Sequence, residues 1–333
     1  MKKPLISISC ITYNHEKYIA DALDSFLMQK TDFDFEILIH DDASTDGTAN
    51  IIREYEKKYP NIIKVIYQTE NQFKNGTKRM FYTFNDSRAT GKYIALCEGD
   101  DYWTDEYKLQ KQVNYMEQNP KCSMCIHSAD LVDGNRKYQG QKIRPYKESR
   151  IVSTDDLIIG GGGFCATASI MYCKKEVEDL PNFFFEAHVG DFPLQLILAS
   201  KGQVFYIDEV MCAYRIGIEG SWTTNLNSGK DSKEKNIKIW EKDIKLLTEF
   251  NIYTNYRYKK AVDLSVNNIQ IQILLTSRRK SEIKKSECKD YYNSLKVISK
   301  FKINIKYYFP KLIQRISIVK KYIKVYVYNL NKK

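Results

Sequence analysis

Glu98, Asp100 and Asp101 place three carboxylates within four positions, directly behind the apolar run Tyr93-Ile94-Ala95-Leu96. Acids crowded at the mouth of a buried strand repel one another unless a cation neutralises them. Carboxylate oxygens are hard ligands that suit Mg²⁺ or Mn²⁺. Such ions take one or two carboxylates and complete their shells with water and phosphate oxygens. The cluster therefore predicts a diphosphate-bearing ligand, with the ion offsetting charge that develops on a phosphate leaving group. A solvated acidic turn would have the same composition, so the neighbouring clusters must decide.

Two of them share its setting. Thr12-Tyr13-Asn14-His15 follows the strand-like stretch Leu5 to Thr12, and Asp41 to Thr48 follows Phe35 to His40. Helix capping accounts for Asp46 or Ser44 but leaves the Asp41-Asp42 pair unexplained. A further acid, Asp191, opens the helical stretch GDFPLQLIL, where it reads either as a cap or as a general base. His188, three residues earlier, is the next candidate.

The elements that must position these residues alternate. Helical spacing at Ile19, Leu23, Phe26 and Leu27 follows the first strand, and a helix through Ile51, Ile52 and Tyr55 ends at Pro60. Ile62 to Tyr67 reads as a strand, residues 77 to 90 as a helix, and Lys92 to Cys97 as a strand. Repeated β-α-β units make a mainly parallel, Rossmann-like α/β sheet flanked by helices, whose ligands bind beyond the carboxyl ends of the strands. Ser123 to Leu131, Phe164 to Tyr172 and Gln203 to Tyr214 are further strands. Gly160 to Gly163 is a loop that permits close approach, and residues 217 to 231 read as a mobile loop or lid. From Ser232 onward the pattern is helical. The expected organisation is a catalytic domain over residues 1–225, with a nucleotide-binding half at 1–120 and an acceptor-binding half at 121–225, followed by a basic helical extension over 226–333.

Composition is that of an ordinary globular protein, 43% hydrophobic and 28% charged. No signal segment or membrane span is apparent, and a cytoplasmic location is the default expectation. Eight cysteines are scattered, and the lone Cys122-Ser-Met-Cys125 lacks a second pair at zinc spacing. No GxxxxGK[ST] and no GxGxxG after the first strand occur, which argues against a P-loop nucleotidase and a nicotinamide dehydrogenase. The base and sugar of a nucleotide would then be held by side chains, for which Tyr13 and Asp42 are available.

Four ordered stretches resemble glycosyltransferase family 2 with its GT-A fold: ISCITYNHEKYIADALDSFLMQ, IHDDASTDGT, GKYIALCEGDDYWTDEYKLQKQ, and GDFPLQLILASKG followed by YIDEVMCAYR. The resemblance spans residues 1 to about 215. It implies an inverting transfer from a nucleotide-sugar donor, UDP-linked, to a hydroxyl of a glycan or lipid-linked acceptor in bacterial surface polysaccharide synthesis. It also implies roles. Thr12, Tyr13, Asn14 and Asp42, with Glu98 and Gly99, would hold the nucleotide. Asp100 and Asp101 would hold Mn²⁺ or Mg²⁺, and Asp191 would be the catalytic base. His188, Gly162 and Trp222 are the candidates for acceptor contact or a lid. Two departures stand out. The first acid of the DxD motif is Glu98, and no histidine follows Tyr214-Arg215, a position at which many relatives carry one. Two rival readings remain: a non-catalytic nucleotide-sugar-binding protein of the same fold and, behind it, a basic nucleic-acid-associated protein.

The formal charge of +11 is a property of the tail. Residues 278–333 hold 17 Lys/Arg against 3 Asp/Glu, interleaved with Ile, Val, Tyr and Phe. Phe301 to Tyr308 alternates with a period of two, and Leu312 to Tyr326 can form an amphipathic basic helix. The tail either packs on the catalytic domain or meets an anionic membrane surface, which would make the chain peripheral on the inner face of the cell membrane. Nucleic acid is not expected as a partner, because no recognised binding motif accompanies the charge.

Overall fold

The computed structural model describes residues 3–229 and 231–310. The chain divides into two compact units, residues 1–136 with 142–215, and residues 137–141 with 216–333. Its strands are β1 (Ile6–Thr12), β2 (Phe35–Asp41), β3 (Ile63–Tyr67), β4 (Tyr93–Glu98), β5 (Tyr102–Trp103), β6 (Cys122–Val132), β7 (Tyr138–Ile143), β8 (Arg150–Ile151), β9 (Met171–Cys173) and β10 (Gln203–Arg215). The helices of the first unit are α1 (Ile19–Leu27), α2 (Thr48–Lys58), α3 (Lys108–Gln118), α4 (Thr154–Gly160), α5 (Asn182–Glu186) and α6 (Asp191–Lys201). Those of the second are α7 (Trp222–Asn227), α8 (Ser232–Tyr253), α9 (Lys259–Thr276), α10 (Lys289–Ser294) and α11 (Val297–Tyr308).

The main sheet runs in the order β3-β2-β1-β4-β9-β6-β10-β5. The first four strands are parallel, as the β-α-β pattern requires. Strand β9 is antiparallel to both β4 and β6, and β10 returns parallel to β6. Strands β1 and β4 are central and buried along almost their whole length, which is why both read as continuous runs of apolar and small residues. Helix α1 covers one face with Ile19, Ala22, Leu23 and Phe26, spaced at i, i+3, i+4 and i+7. Phe26 meets Trp103 with ring centroids 4.8 Å apart. Helix α2 stops at Tyr59, where the following proline disfavours a further helical residue. All eight cysteines are buried and free.

Register brings the functional loops together. Thr12 pairs with Asp41 across β1 and β2, and Ile11 pairs with Glu98 across β1 and β4. The three clusters read in the sequence thus emerge in one row at the carboxyl edge.

The structure corrects several element assignments. Residues 77–90 do not form an α-helix: a single π-helical turn at Phe81–Asn85 runs into a 3₁₀ turn at Asp86–Arg88. The reason is polar and long-range. Asn85 Nδ2 donates to Cys10 O at 2.9 Å, while the Asp86 carboxylate accepts from Ser9 Oγ at 3.2 Å and from the Tyr172 hydroxyl. A widened turn lets both consecutive side chains reach the sheet. Of the strand expected over 164–172, only Met171–Cys173 pairs, because Thr167–Ser169 forms a 3₁₀ turn whose Ala168 carbonyl accepts from Trp103 Nε1 at 2.9 Å. Within the expected loop 217–231, residues Trp222–Asn227 form the short α7, capped by Ser221.

In the second unit, Ile271 and Leu275 of α9 form a small core with Ile283 and Cys288, and Ile303 and Tyr307 of α11 pack against it. The stretch 301–308 is helical, so its period of two was misleading. The expected helix 312–326 lies outside the described residues, as does the side chain of Trp222. No helix among the described residues is long and apolar enough to cross a membrane.

Candidate active site

The loop after β1 is knitted to the loop after β2. Asn14, in the left-handed region at φ 56°, takes a hydrogen bond from Thr45 N to its Oδ1 at 2.8 Å, and its own N–H donates to Ser44 Oγ at 2.9 Å. His15 N donates to Thr48 Oγ1 at 2.8 Å, and Asp46 accepts from Thr48 N at 3.0 Å in an Asx turn that leads into α2. Asn14 and Asp46 therefore join the two loops.

His15 carries the line onward. Its Nδ1 lies 3.1 Å from Thr12 Oγ1, and its Nε2 lies 3.9 Å from Asp100 Oδ2. Gly99 sits between these partners. A Cβ there would come within 2.6 Å of Thr12 Oγ1, 2.8 Å of Thr12 Cβ and 3.0 Å of Ile19 Cδ1, so no side chain fits. The glycine of the acidic turn is a packing requirement.

Glu98, Asp100 and Asp191 form one electrostatic group. Burial pushes Glu98 up to about 8, and the negative charges of Asp100 and Asp191 add to the effect. Asp191 is also raised, by burial first, against the pull of Phe192 N–H at 2.8 Å and the Arg79 charge. Among the described residues no lysine or arginine pairs with Glu98 or Asp100, and His15 is the neighbour with basic character. Asp101 differs. It is fully buried, one oxygen accepts from Arg215 N at 2.8 Å, and Oδ2 has no hydrogen-bond partner. Burial, then Asp100 and Glu98, drive its carboxyl well above the usual range.

Arg215 is the strut beneath the turn. Its guanidinium is enclosed between the rings of Tyr18 and Tyr102, at 4.9 and 4.6 Å, and donates to Asp100 O at 2.5 Å and to the Asp21 carboxylate. The end of β10 is thereby tied to the turn and to α1.

Asp42 is 5% exposed, and its carboxylate accepts from Gln72 N at 2.7 Å and Phe73 N at 3.1 Å. It orders the loop that presents Lys74, whose Nζ stands 5.3 Å over the Tyr13 ring and 3.2 Å from the Tyr13 hydroxyl. Tyr13 and Lys74 thus make one aromatic-cationic rim. Gly162 lies against Phe192, the neighbour of Asp191. His188 belongs to the segment that leads into Asp191.

That segment is held by Arg79. The side chain donates to the carbonyls of Phe184 and Val189, both at 2.5 Å, and to the carbonyl of Ala187. Its Cζ stands 5.3 Å over the Phe184 ring, and its backbone is in the left-handed region at φ 58°. Burial pulls the guanidinium down to about 10, while Asp191 works in the opposite direction. It therefore stays charged at neutral pH.

An acidic rim at the carboxyl edge of a parallel sheet, an aromatic-cationic pair beside it and an acid at the start of a helix all stand on one framework. The model of glycosyl transferase family 2 matches residues 7–177 of this framework. The chain belongs to glycosyltransferase family 2. An uncharacterized protein of Mycobacterium tuberculosis (strain H37Rv) is 36% identical over 222 residues, 65% of this chain and 60% of that protein. The match thus spans about 60% of the length of such relatives. A Bacillus subtilis (strain 168) protein, TuaG, named for a glycosyltransferase of teichuronic acid biosynthesis, is 38% identical over 114 residues, 34% of this chain and 42% of its own. Among solved structures, Staphylococcus aureus TarS 1–349 in complex with UDP superposes with a TM-score of 0.54 at 16% identity, covering 89% of this chain and 76% of that one. The mannosyltransferase PcManGT from Pyrobaculum calidifontis, in complex with GDP-Man and Mn²⁺, gives 0.58 at 15% identity, covering 100% and 89%. At these identities the likeness is one of fold, and the fold is GT-A.

Within this family 2 framework, the structure gathers Thr12, Tyr13, Asp42, Glu98, Gly99 and Asp100 at the sheet edge. Asp101 lies beneath it, and Asp191 faces Glu98 closely enough to affect its protonation. Arg79, Lys74 and the strut role of Arg215 were missed from the sequence. Tyr214-Arg215 stood out as a dipeptide, but nothing in NGTKRMF marks Arg79. The donor set fits a divalent ion of the Mg²⁺ or Mn²⁺ type: carboxylates at Glu98 and Asp100 that no lysine or arginine among the described residues pairs with, above the buried Asp101 Oδ2, which has no hydrogen-bond partner. Among the described residues no three His, Cys, Asp or Glu side chains are grouped to hold an ion by themselves. Phosphate oxygens and water would have to complete the shell.

Proposed function

We propose that this chain is an inverting glycosyltransferase that moves a sugar from a UDP-linked donor to a hydroxyl of a glycan or lipid-linked acceptor in bacterial surface polysaccharide synthesis. The observation that carries the reading is the group Glu98, Asp100 and Asp191 at the carboxyl edge of the sheet, where among the described residues no lysine or arginine side chain pairs with the carboxylates of Glu98 and Asp100. Asp100, supported by Glu98 and by Asp101 below, would hold Mn²⁺ or Mg²⁺, which offsets the charge of the departing nucleoside diphosphate. Tyr13 and Lys74 stack on and contact the base side of the donor. Asp191 accepts the proton of the acceptor hydroxyl as that oxygen bonds to the anomeric carbon and the bond to the diphosphate breaks. Burial raises its proton affinity above that of an ordinary carboxylate, which favours it as a proton acceptor. A lipid-linked acceptor would bring the chain to the inner face of the cell membrane, where the basic tail would meet anionic headgroups.

The test is turnover of a panel of nucleotide sugars with Mn²⁺ and with chelator, in wild type, Asp191→Asn and Asp100→Ala. Asp191→Asn should lose turnover by about 10²–10⁴-fold with donor affinity nearly unchanged. Asp100→Ala should lose donor binding in the presence of Mn²⁺. Turnover persisting in Asp191→Asn, or metal-independent donor binding, would overturn the reading.

A further inference from the structure

The last described helix, α11, carries apolar side chains on two sides. Ile303 and Tyr307 pack on the small core of the second unit. Val297, Ile298, Phe301 and Tyr308 do not: they are 84%, 62%, 59% and 62% exposed, and Phe309 just beyond is 59% exposed. At 3.6 residues per turn these four helix positions, with Ile305, share an arc of about 100°, centred roughly 150° from the packed side. Lys302 lies about 40° beyond one edge, and Lys300 about 60° beyond the other, where its Nζ donates to Asn293 O at 2.7 Å. From Tyr291 to Lys333 the chain has eleven Lys/Arg and no Asp or Glu.

We infer that the outer face of α11 is a docking surface for an anionic phospholipid bilayer, with its apolar residues entering the headgroup boundary and the lysines at the phosphates. An apolar arc bordered by lysines is what an interfacial helix requires. Charge complementarity selects the occupant. The charged residues of the chain's own segment 311–333 are all Lys or Arg, seven of them, so laying it on this face would set positive charge against positive charge. A soluble polyanion such as nucleic acid would use the lysines and leave Val297, Ile298 and Phe301 in water. A bilayer satisfies both features. The inference rests on the tail and not on the acid cluster, so it can fail while the catalytic reading stands.

The test uses the full chain and large unilamellar vesicles of phosphatidylcholine, with or without about one-third phosphatidylglycerol. Wild type should co-sediment with the anionic vesicles only, and the binding should weaken at about 0.5 M salt. The double variant Ile298→Ser, Phe301→Ser should bind at least about tenfold more weakly. Its thermal midpoint and its donor turnover in vesicle-free buffer should be unchanged, because both side chains are exposed and lie outside the proposed reaction site. Unaltered vesicle binding by the variant would overturn the proposal. So would tighter binding of wild type to a single-stranded oligonucleotide than to vesicles. A lowered thermal midpoint with unchanged vesicle binding would show instead that residues 311–333 cover this face.

Discussion

Arg79→Lys isolates the positioning of Asp191 from its charge. The wild-type side chain spans the carbonyls of Phe184, Ala187 and Val189 with one planar fork. A lysine ammonium is a point donor and can keep one of these bonds, so two charge-assisted bonds are lost. Each contributes about 1.5–3 kcal/mol when buried. The segment is partly exposed and water can take over some of the carbonyls, so loosening by about 2–4 kcal/mol is a reasonable magnitude. The affected residues lead directly into Asp191, and a displacement of about 1 Å at a reacting group costs on the order of 10²-fold in rate. Steady-state kinetics should therefore show kcat reduced about 10²-fold, with the donor KM within about threefold of wild type. Arg79→Met adds a second readout. It removes the charge that holds Asp191 down, so the acidic limb of the kcat–pH profile should move to higher pH, whereas Arg79→Lys should leave it in place. Wild-type kcat in Arg79→Lys would refute the reasoning. A donor KM that rises while kcat is kept would also refute it, since the loop would then serve donor binding.

Two further outcomes follow from the same packing. Gly99→Ala should lower the thermal midpoint by about 2–8 °C, since overpacking against Thr12 and Ile19 costs about 1–3 kcal/mol. It should also weaken donor binding measured by calorimetry. A wild-type midpoint and affinity would show that the turn yields freely. Asp86 is 4% exposed and is pushed up to about 6 by burial, against its ordinary 3.8, despite help from Tyr172, Ser9 and Lys174. Between those values the folded state binds more protons than the unfolded chain, so unfolding free energy falls as pH rises from about 4 to 6 and is flat above. Asp86→Asn should remove this slope and leave the protein about 1–3 kcal/mol more stable than wild type at pH 7.5, with little gain below pH 4. Denaturant midpoints that differ equally at both pH values would contradict the assignment.

The parts of the site legible in the sequence are those whose partners are local. Strands β1, β2 and β4 are buried on both faces and announce themselves as apolar runs, so the polar residues behind them could be placed at one sheet edge before any coordinates. Side chains whose partners are distant could not be placed. Asn85 and Asp86 look like the polar side of a surface helix, yet they reach Cys10, Ser9 and Tyr172. Arg79 bonds to carbonyls more than one hundred residues further on, and backbone acceptors leave no trace in residue type. Asp101 reads as one more acid on the rim, and its enclosure by Arg215 depends on where β10 ends. The period of two at 301–308 failed for another reason: α11 has apolar residues on two faces, which blurs helical spacing.

These distant bonds explain how four acids can be kept so close together. Three of them are held by different tethers: Asp100 through His15 and Thr12 on the loop after β1, Asp101 through Arg215 to Asp21 on α1, and Asp191 through Arg79 and the segment 184–189. Glu98 needs none, because it ends β4 and its backbone is fixed by the ladder to β1. Mutual repulsion would otherwise spread such a group into solvent. Spending three separate anchors to prevent that is consistent with a framework built to present converging carboxylates before any ligand arrives, which is the arrangement that a preorganised electrostatic site requires.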